Sequence, residues 1–183
     1  MGGASVNIAG RLVPLLYAGE GQINAQLPYD LPVNTTHQLI VRRGFSYTLP
    51  EPVTVAAAQP AIFTRSQTGQ GQGLIFTAEG RLADASHPVG AGEVVVMYGV
   101  GLGAVNPPVA AGVAAAGLSR TVQPVTVTVG AVEARVLYAG LAPGFAGLYQ
   151  VNAEVPAGVP AGEAAVVLTV AAQASPPVTM AVR

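Results

Sequence analysis

One segment of the chain occurs twice. Its first occurrence reads Leu16-Tyr17-Ala18-Gly19 and then Gln22-Ile23-Asn24-Ala25-Gln26-Leu27-Pro28, and its second reads Leu137-Tyr138-Ala139-Gly140 and then Gln150-Val151-Asn152-Ala153-Glu154-Val155-Pro156. A match of this length, which extends into the flanking strand patterns, predicts two copies of one structural unit. A fold proposed for the chain must therefore contain that unit twice.

The apolar residues follow the pattern of β-strands. Short β-branched runs bounded by Gly, Pro and Asn recur about every 8 to 15 residues, while helical periodicity is nearly absent. Residues 93–98 predict a strand that is buried on both faces or central in its sheet. The alanine-rich segment 109–117 is compatible with a helical turn, although its glycines and the preceding prolines favour a loop. We expect an all-β fold of tandem immunoglobulin-like β-sandwiches, the first abbreviated.

The two copies are unequal. In the sequence alignment Val6 and Ile8 match Val127 and Val129, residues 31–32 match 159–160, residues 39–40 match 167–168, and residues 53–56 match 178–181. The second copy carries an insertion at 141–147, and the 61–122 segment that precedes it has no counterpart before the first copy. We therefore predict an abbreviated immunoglobulin-like β unit at 1–58 and a complete β-sandwich at 59–183.

The abbreviated unit has a structural consequence. Its sixty or so residues supply about five short strands, whereas an immunoglobulin-like sandwich needs about seven. We expect residues 1–58 to leave an unpaired sheet edge or an uncovered apolar face. Chain upstream of residue 1, the second unit or another molecule would cover it, which makes a homo-oligomer one expected form of assembly.

Composition excludes several classes of function. Only 9% of the residues are charged and the net charge is −1, so nothing attracts a nucleic-acid backbone. The chain has no lysine for a phosphate loop or a Schiff base, and no cysteine for a disulfide, a thiolate metal site or a thiol nucleophile. Its longest uncharged stretch, 94–119, is interrupted by Pro107 and Pro108, which argues against a membrane span. The first residues lack the pattern of a signal peptide, so we expect a mature portion of a longer protein.

The segment 137–152 resembles an uncharacterised C-terminal domain family that is abundant in Acidobacteria of the Solibacter type. The 17–28 segment, the 59–63 linker and Tyr98-Gly99-Val100-Gly101-Leu102-Gly103 are similar to other recurring segments of that family. The resemblance implies immunoglobulin-like or IPT/TIG-like sandwiches that close large secreted or cell-surface proteins. It supplies no catalytic residues. The family usually has a further segment before the 6–8 strand, which supports the abbreviated unit.

Three patterns that could carry chemistry are weak. The 99–104 segment fits a dinucleotide fingerprint, but that fingerprint requires a helix where this chain has prolines, so we expect a glycine-rich turn. Asp84, Ser86 and His87 are the residue types of a hydrolase triad, but their closeness in sequence predicts a turn with local bonds. His37 and His87 lie far apart without a carboxylate cluster, so we expect no catalytic, cofactor or metal site, and leave open a calcium ion bound by loop carbonyls.

The duplicated strands present a polar face. Its members alternate with apolar residues and are Gln22, Asn24, Gln26, Gln150, Asn152 and Glu154. We interpret this face as solvated or hydrogen-bonded between sheets, and as a candidate contact surface. The sequence as a whole favours a non-enzymatic extracellular module that spaces, attaches or assembles larger proteins through other domains of its parent or through a second copy. The alternative is a carbohydrate-binding module with a polysaccharide ligand, which the absence of tryptophan disfavours.

Overall fold

Strands and the loops between them make up the whole of the described structure. The computed structural model describes residues 3–183; residues 1 and 2, which begin the predicted 1–58 unit and the segment considered as a signal peptide, lie outside the described residues. No helix occurs within residues 3–183, and the sheets are antiparallel. The predicted all-β class is confirmed, whereas the immunoglobulin-like sandwich topology stays a prediction.

Residues 3–58 form one small sheet and a separate hairpin. The strands are β1 (Ala4–Ile8), β2 (Arg11–Val13), β3 (Leu15–Ala18), β4 (Ile23–Ala25), β5 (Thr35–Arg43), β6 (Ser46–Tyr47) and β7 (Glu51–Val55). In the sheet, β1 lies between β2 and β5, and both β6 and β7 pair with the other edge of β5. The hairpin consists of β3 and β4. These seven strands enclose a small core, in which only Val6, Ile8, Val13 and Leu31 are fully buried.

The remaining strands form a larger assembly of sheets. They are β8 (Ala61–Ile62), β9 (Ile75–Thr77), β10 (Val94–Val100), β11 (Val105–Asn106), β12 (Ser119–Thr121), β13 (Val125–Val129), β14 (Val132–Leu141), β15 (Tyr149–Glu154), β16 (Gly162–Val170), β17 (Gln173–Ala174) and β18 (Val178–Val182). Neighbouring strands run in the order β17-β16-β13-β14-β15-β10-β8, with β18 on β16, β9 on β10, and β11 reaching β14 through β12. As predicted, β10 is central, because it pairs with β15 on one edge and with β8 and β9 on the other. The alanine-rich 109–117 segment is a loop.

The long strand β14 connects two ladders. Its first residues, from Val132 to Ala134, pair with β13, and the residues from Arg135 onward pair with β15. Alternate residues of β10, β13, β15, β16 and β18 point into one continuous apolar core that is separate from the small core of residues 3–58. Because one face of each strand is buried, the period of two fixes which residues point inward.

Strand pairing corrects two parts of the sequence alignment. Ile8 pairs with Leu39, and its match Val129 pairs with Val166, so Leu39 corresponds to Val166 and not to residue 167. A shift of one residue would turn Ile40 inward in place of Leu39, and a buried face does not tolerate that exchange. By the same pairings, β7 corresponds to β18, with Val55 at the position of Val182. The sequence alignment had matched Val55 to Met180, which is two residues earlier.

Candidate interaction site

The two occurrences of the duplicated segment form ladders with the same pairing. Tyr138 on β14 lies opposite Asn152 on β15, and Tyr17 on β3 lies opposite Asn24 on β4. Each ladder has one register shift, directly before the tyrosine, which leaves Leu137 and Leu16 without a partner. A bulge at the same place in both ladders shows that the sequence match extends to backbone pairing.

The Tyr-Ala-Gly order has a steric cause. The tyrosine ring folds back over the glycine two residues later, so that a Cβ at Gly140 would collide with the Tyr138 hydroxyl, and one at Gly19 with the Tyr17 hydroxyl. Tyr138 also donates its hydroxyl to the Leu141 carbonyl at 2.8 Å, and the Arg120 guanidinium lies 5.0 Å from its ring centroid. Only 7% of Tyr138 is exposed, compared with 52% of Tyr17, so the second ladder is covered and the first is open.

Some side chains of the polar face predicted as a contact surface are hydrogen-bonded to each other within their own strand. Gln22 donates its side-chain amide to Asn24 Oδ1 at 2.6 Å, and Gln150 makes the equivalent bond to Asn152 at 2.9 Å. Gln22 and Asn24 are exposed, whereas Gln150 and Asn152 are half-buried. The six residues therefore lie on two separate hairpins and do not form one continuous row.

The last position of the face differs between the hairpins. Glu154 is half-buried and lies 3.7 Å from the Arg135 guanidinium across the ladder. Gln26 is only 9% exposed, and its side chain is used inside the chain. Its Oε1 accepts the Gly112 N–H at 2.8 Å, and its Nε2 donates to the Tyr29 hydroxyl at 2.8 Å. Gln26 thus joins the hairpin of residues 3–58 to a loop of residues 59–183.

Two tyrosines continue this contact. Tyr29 packs against the larger core, and its hydroxyl interacts with that of Tyr149. Tyr149 in turn donates to the Gly103 carbonyl. Burial raises the pKa of Tyr149 far above its usual range, with a further contribution from Tyr29, and burial also raises the pKa of Tyr29. Both hydroxyls are therefore neutral hydrogen-bonding groups at ordinary pH.

The glycine-rich segment after β10 holds the linker between the two parts. The Gln59 N–H donates to the Gly101 carbonyl at 2.8 Å. Gly101 has φ +77°, and a Cβ there would overlap the Gln59 carbonyl oxygen. Gly99 and Val100 belong to β10, and residues 101–104 form an irregular connection to β11 with neither a helix nor the predicted turn. The glycine at 101 allows a close backbone approach.

A cleft of about 580 Å³ lies between the two parts of the chain. One wall comes from residues 3–58 and includes Ala25, Leu27, Leu31, Val33 and Val55. The linker 56–59 and the residues Val100, Gly101, Gly103, Ala104, Val122, Gln123, Gly147 and Tyr149 form the opposite side. The cleft is mostly apolar with a few polar groups, and its size lies within the range of about 300–1,000 Å³ that is usual for ligand sites.

The strand beside this cleft has a free edge. Within residues 3–183, β4 pairs only with β3, whereas β15, which occupies the matching place in the second ladder, pairs with β14 on one edge and β10 on the other. Within residues 3–58, β4 is one of the strands with an unpaired edge, together with the terminal strands β2 and β7 of the small sheet. No residue among 3–58 takes the place that β10 has in the larger assembly.

The other candidate residues make local contacts. Asp84 Oδ1 accepts the Ser86 N–H at 2.9 Å and lies 3.4 Å from His87 Nδ1, so the predicted turn with local bonds is found. The Ser86 N–H is the main cause that lowers the pKa of Asp84. His37 lies 3.0 Å from the Pro32 carbonyl oxygen. Among residues 3–183, no three His, Asp or Glu side chains come together as metal ligands.

No family model matches the chain, and no curated protein matches its sequence. Within residues 3–183 no helix has the length and apolar character needed to cross a membrane. Sequence reasoning missed the contact of Gln26 and Tyr29 with the second part of the chain. The one signal of this contact in the sequence was the insertion at 141–147. In the structure its Gly147 lies against Gln26, since a Cβ at Gly147 would be 2.9 Å from Gln26 Cδ.

Proposed function

We propose that this protein is a non-enzymatic interaction module that assembles with other polypeptides by strand pairing. It contains two copies of one immunoglobulin-like β unit, an abbreviated one at 1–58 and a complete one at 59–183. The observation that carries the proposal is the incompleteness of the first copy, which has a small core and a free strand edge at β4. An incomplete β unit is stabilised when another strand or surface covers it.

Exposed apolar side chains support the same conclusion. Phe45 is 98% exposed and Leu49 is 88% exposed, and Leu12 and Tyr47 are also mostly exposed. Large apolar residues at the surface favour association with another protein. The low charge of the chain leaves little repulsion between copies.

The setting of this module belongs to the proposal as well. The resemblance of segment 137–152 to the acidobacterial C-terminal domain family supports a secreted or cell-surface location. It also supports a role as spacer or attachment domain of a larger protein. The partners we propose are other domains of the parent protein and a second copy of the chain.

Sedimentation velocity over a range of concentrations tests the proposal. We expect the chain to self-associate, and a double variant with Phe45→Ser and Leu49→Ser to associate less. The matched control carries Phe145→Ser and Leu118→Ser, which are 59% and 63% exposed in the second unit, and should behave as the parent chain does. A chain that is monomeric at every concentration and exchanges its β4 amides as slowly as those of β10 contradicts the proposal.

Carbohydrate binding is the second candidate, favoured by the cleft. Gln59 and Gln123 line it and are exposed, and their side-chain amides can bind sugar hydroxyls. Pull-down with insoluble polysaccharides tests this function. Retention that is lost with Gln123→Ala, and kept with the exposed control Gln22→Ala, would place a glycan in the cleft.

A further inference from the structure

The two ladders differ at one edge, and this difference shows what the first ladder lacks. In the second ladder β10 runs antiparallel to β15, with Val95 opposite Ala153 and Met97 opposite Val151. Ala25 and Ile23 occupy the matching positions on β4, because Ala25 lies opposite Leu15 as Ala153 lies opposite Val136. The complete ladder therefore defines the register that a third strand would take beside β4.

The free peptide groups of β4 point in the required direction. Gln22 and Gln26 turn their backbone groups toward β3, since the Gln22 carbonyl accepts the Gly19 N–H and the Gln26 N–H donates to the Pro14 carbonyl. Backbone groups alternate in direction along an antiparallel strand. Those of Ile23 and Ala25 therefore point away from β3, toward the open edge.

The unpaired edge of β7 is blocked by a proline, whereas the unpaired edge of β4 is not. The comparison with β18, which corresponds to β7, shows this. On β18 the Thr179 N–H donates to the Gly71 carbonyl, and the Thr179 carbonyl accepts the Gly73 N–H. The matching residue on β7 is Pro52, which has no N–H and blocks pairing at that edge. Strand β4 carries neither a proline nor a charged residue, which are two of the features that prevent edge pairing in other proteins.

The cleft provides room for the side chains of an added strand. Ala25 borders it, and Leu31, Val33 and Val55 line the same wall. In β10 the inward-facing residues Val95 and Met97 are fully buried. Apolar side chains at alternate positions of an added strand would be covered in the same way.

We propose that β4 binds an extended segment of another polypeptide as an antiparallel strand. This segment has the chemistry of β10: at least five residues without proline, with apolar side chains at alternate positions that enter the cleft. The proposal rests on the proposed function and names the site at which strand pairing occurs. Main-chain hydrogen bonds supply affinity in such complexes, and the apolar pockets supply specificity.

A peptide with the sequence of residues 92–100, extended by lysines for solubility, is the probe. In the native ladder Glu93 faces β15, because its carbonyl accepts the Val155 N–H, so Val95 and Met97 face β15 as well. Tyr98 faces the other way, since its N–H donates to the Leu74 carbonyl and its carbonyl accepts the Phe63 N–H. N-methylation at Val95 and Met97 should therefore weaken binding by about tenfold or more, because it removes two ladder donors. The matched peptide, N-methylated at Val96 and Tyr98, has the same composition and should keep its affinity.

Variants of the full chain test the same edge from the other side. Ala25→Pro removes an N–H that has no partner within residues 3–183, and should abolish peptide binding while the far-ultraviolet spectrum of the chain stays unchanged. Val33→Ser removes an apolar contact in the cleft and should weaken binding by about threefold or more. Leu118→Ser is the control, since Leu118 is 63% exposed and does not line the cleft.

Hydrogen exchange identifies the strand that binds. Slower exchange at Ile23 and Ala25 on adding peptide supports the proposal. Equal loss of affinity with both N-methylated peptides, or slower exchange confined to β15, overturns it, because the peptide would then bind elsewhere or replace β10. If the chain self-associates but does not bind the peptide, this inference is wrong and the proposed function stands; if neither occurs, both are wrong.

Discussion

Replacing Gln26 tests whether the two parts of the chain are joined by the contact described above. The Gln26→Ala variant loses two hydrogen bonds of 2.8 Å, one from the Gly112 N–H and one to the Tyr29 hydroxyl. Each contributes about 0.5–1.5 kcal/mol net, and Gln26, which makes both, is only 9% exposed. We expect a loss of about 2 kcal/mol, or about a 30-fold change in the equilibrium between joined and separated parts.

The matched control is Gln22→Ala. Gln22 lies on the same hairpin face, but it is exposed and bonds only to Asn24 at 2.6 Å. Its removal should change stability by less than about 0.5 kcal/mol, as is usual at a surface position. The two variants therefore differ in burial and in the partner they lose, while the polar face of the hairpin and the residue type are shared.

Urea unfolding and native-state hydrogen exchange measure the effect. In Gln26→Ala the amides of β3 and β4 should exchange about 30-fold faster, because the hairpin separates from the second part more often. The amides of β13 and β16 should keep their rates, since these strands belong to the larger core. Equal exchange rates in the Gln26 and Gln22 variants would show that the hydrogen bonds of Gln26 do not hold the parts together.

Three further outcomes are expected. Ile8→Ala should lower the free energy of unfolding of the small core by about 2–5 kcal/mol, seen as a lower urea midpoint, because Ile8 is fully buried there. Gly101→Ala should lower thermal stability by about 1–3 kcal/mol, since it adds a Cβ at positive φ against the linker carbonyl, whereas Gly117→Ala has open space and should have little effect. The raised pKa values of Tyr149 and Tyr29 add stability that is present below the unfolded-state pKa of about 10 and is lost as the pH rises above it, because only the unfolded chain then ionises freely. Constant stability from about pH 9 to 11 in urea unfolding would contradict this last expectation.

The sequence was sufficient to predict local structure. The alternation in Val125–Val129 and in the 150–154 strand reports directly which residues are buried, since one face of each strand lies against the core. The all-β class and the turn at Asp84 follow from residue types with local effects, namely β-branched residues, glycine, proline and side-chain caps.

Register and the contact between the parts could not be predicted in the same way. The match of Leu39 to residue 167 was wrong by one residue because the loop before β5 differs by one residue between the copies, and the apolar pairs there look alike in either register. The burial of Gln26 depends on where Gly112 lies, 86 positions along the chain, and no local pattern reports that distance. The cleft is formed by the same long-range placement.

The two ladders differ in the residue pair at one end. In the second ladder Arg135 lies opposite Glu154, and this charged pair keeps its side chains at the surface. In the first ladder the matching residues are Pro14 and Gln26, neither of which carries a charge, so they can be buried against a neighbour without the cost of removing an ion from water. The uncharged end joins the hairpin to the second part, and this places the free edge of β4 beside the cleft. A charged pair at this position would leave the edge facing water, where an added strand would have no apolar wall to cover its side chains.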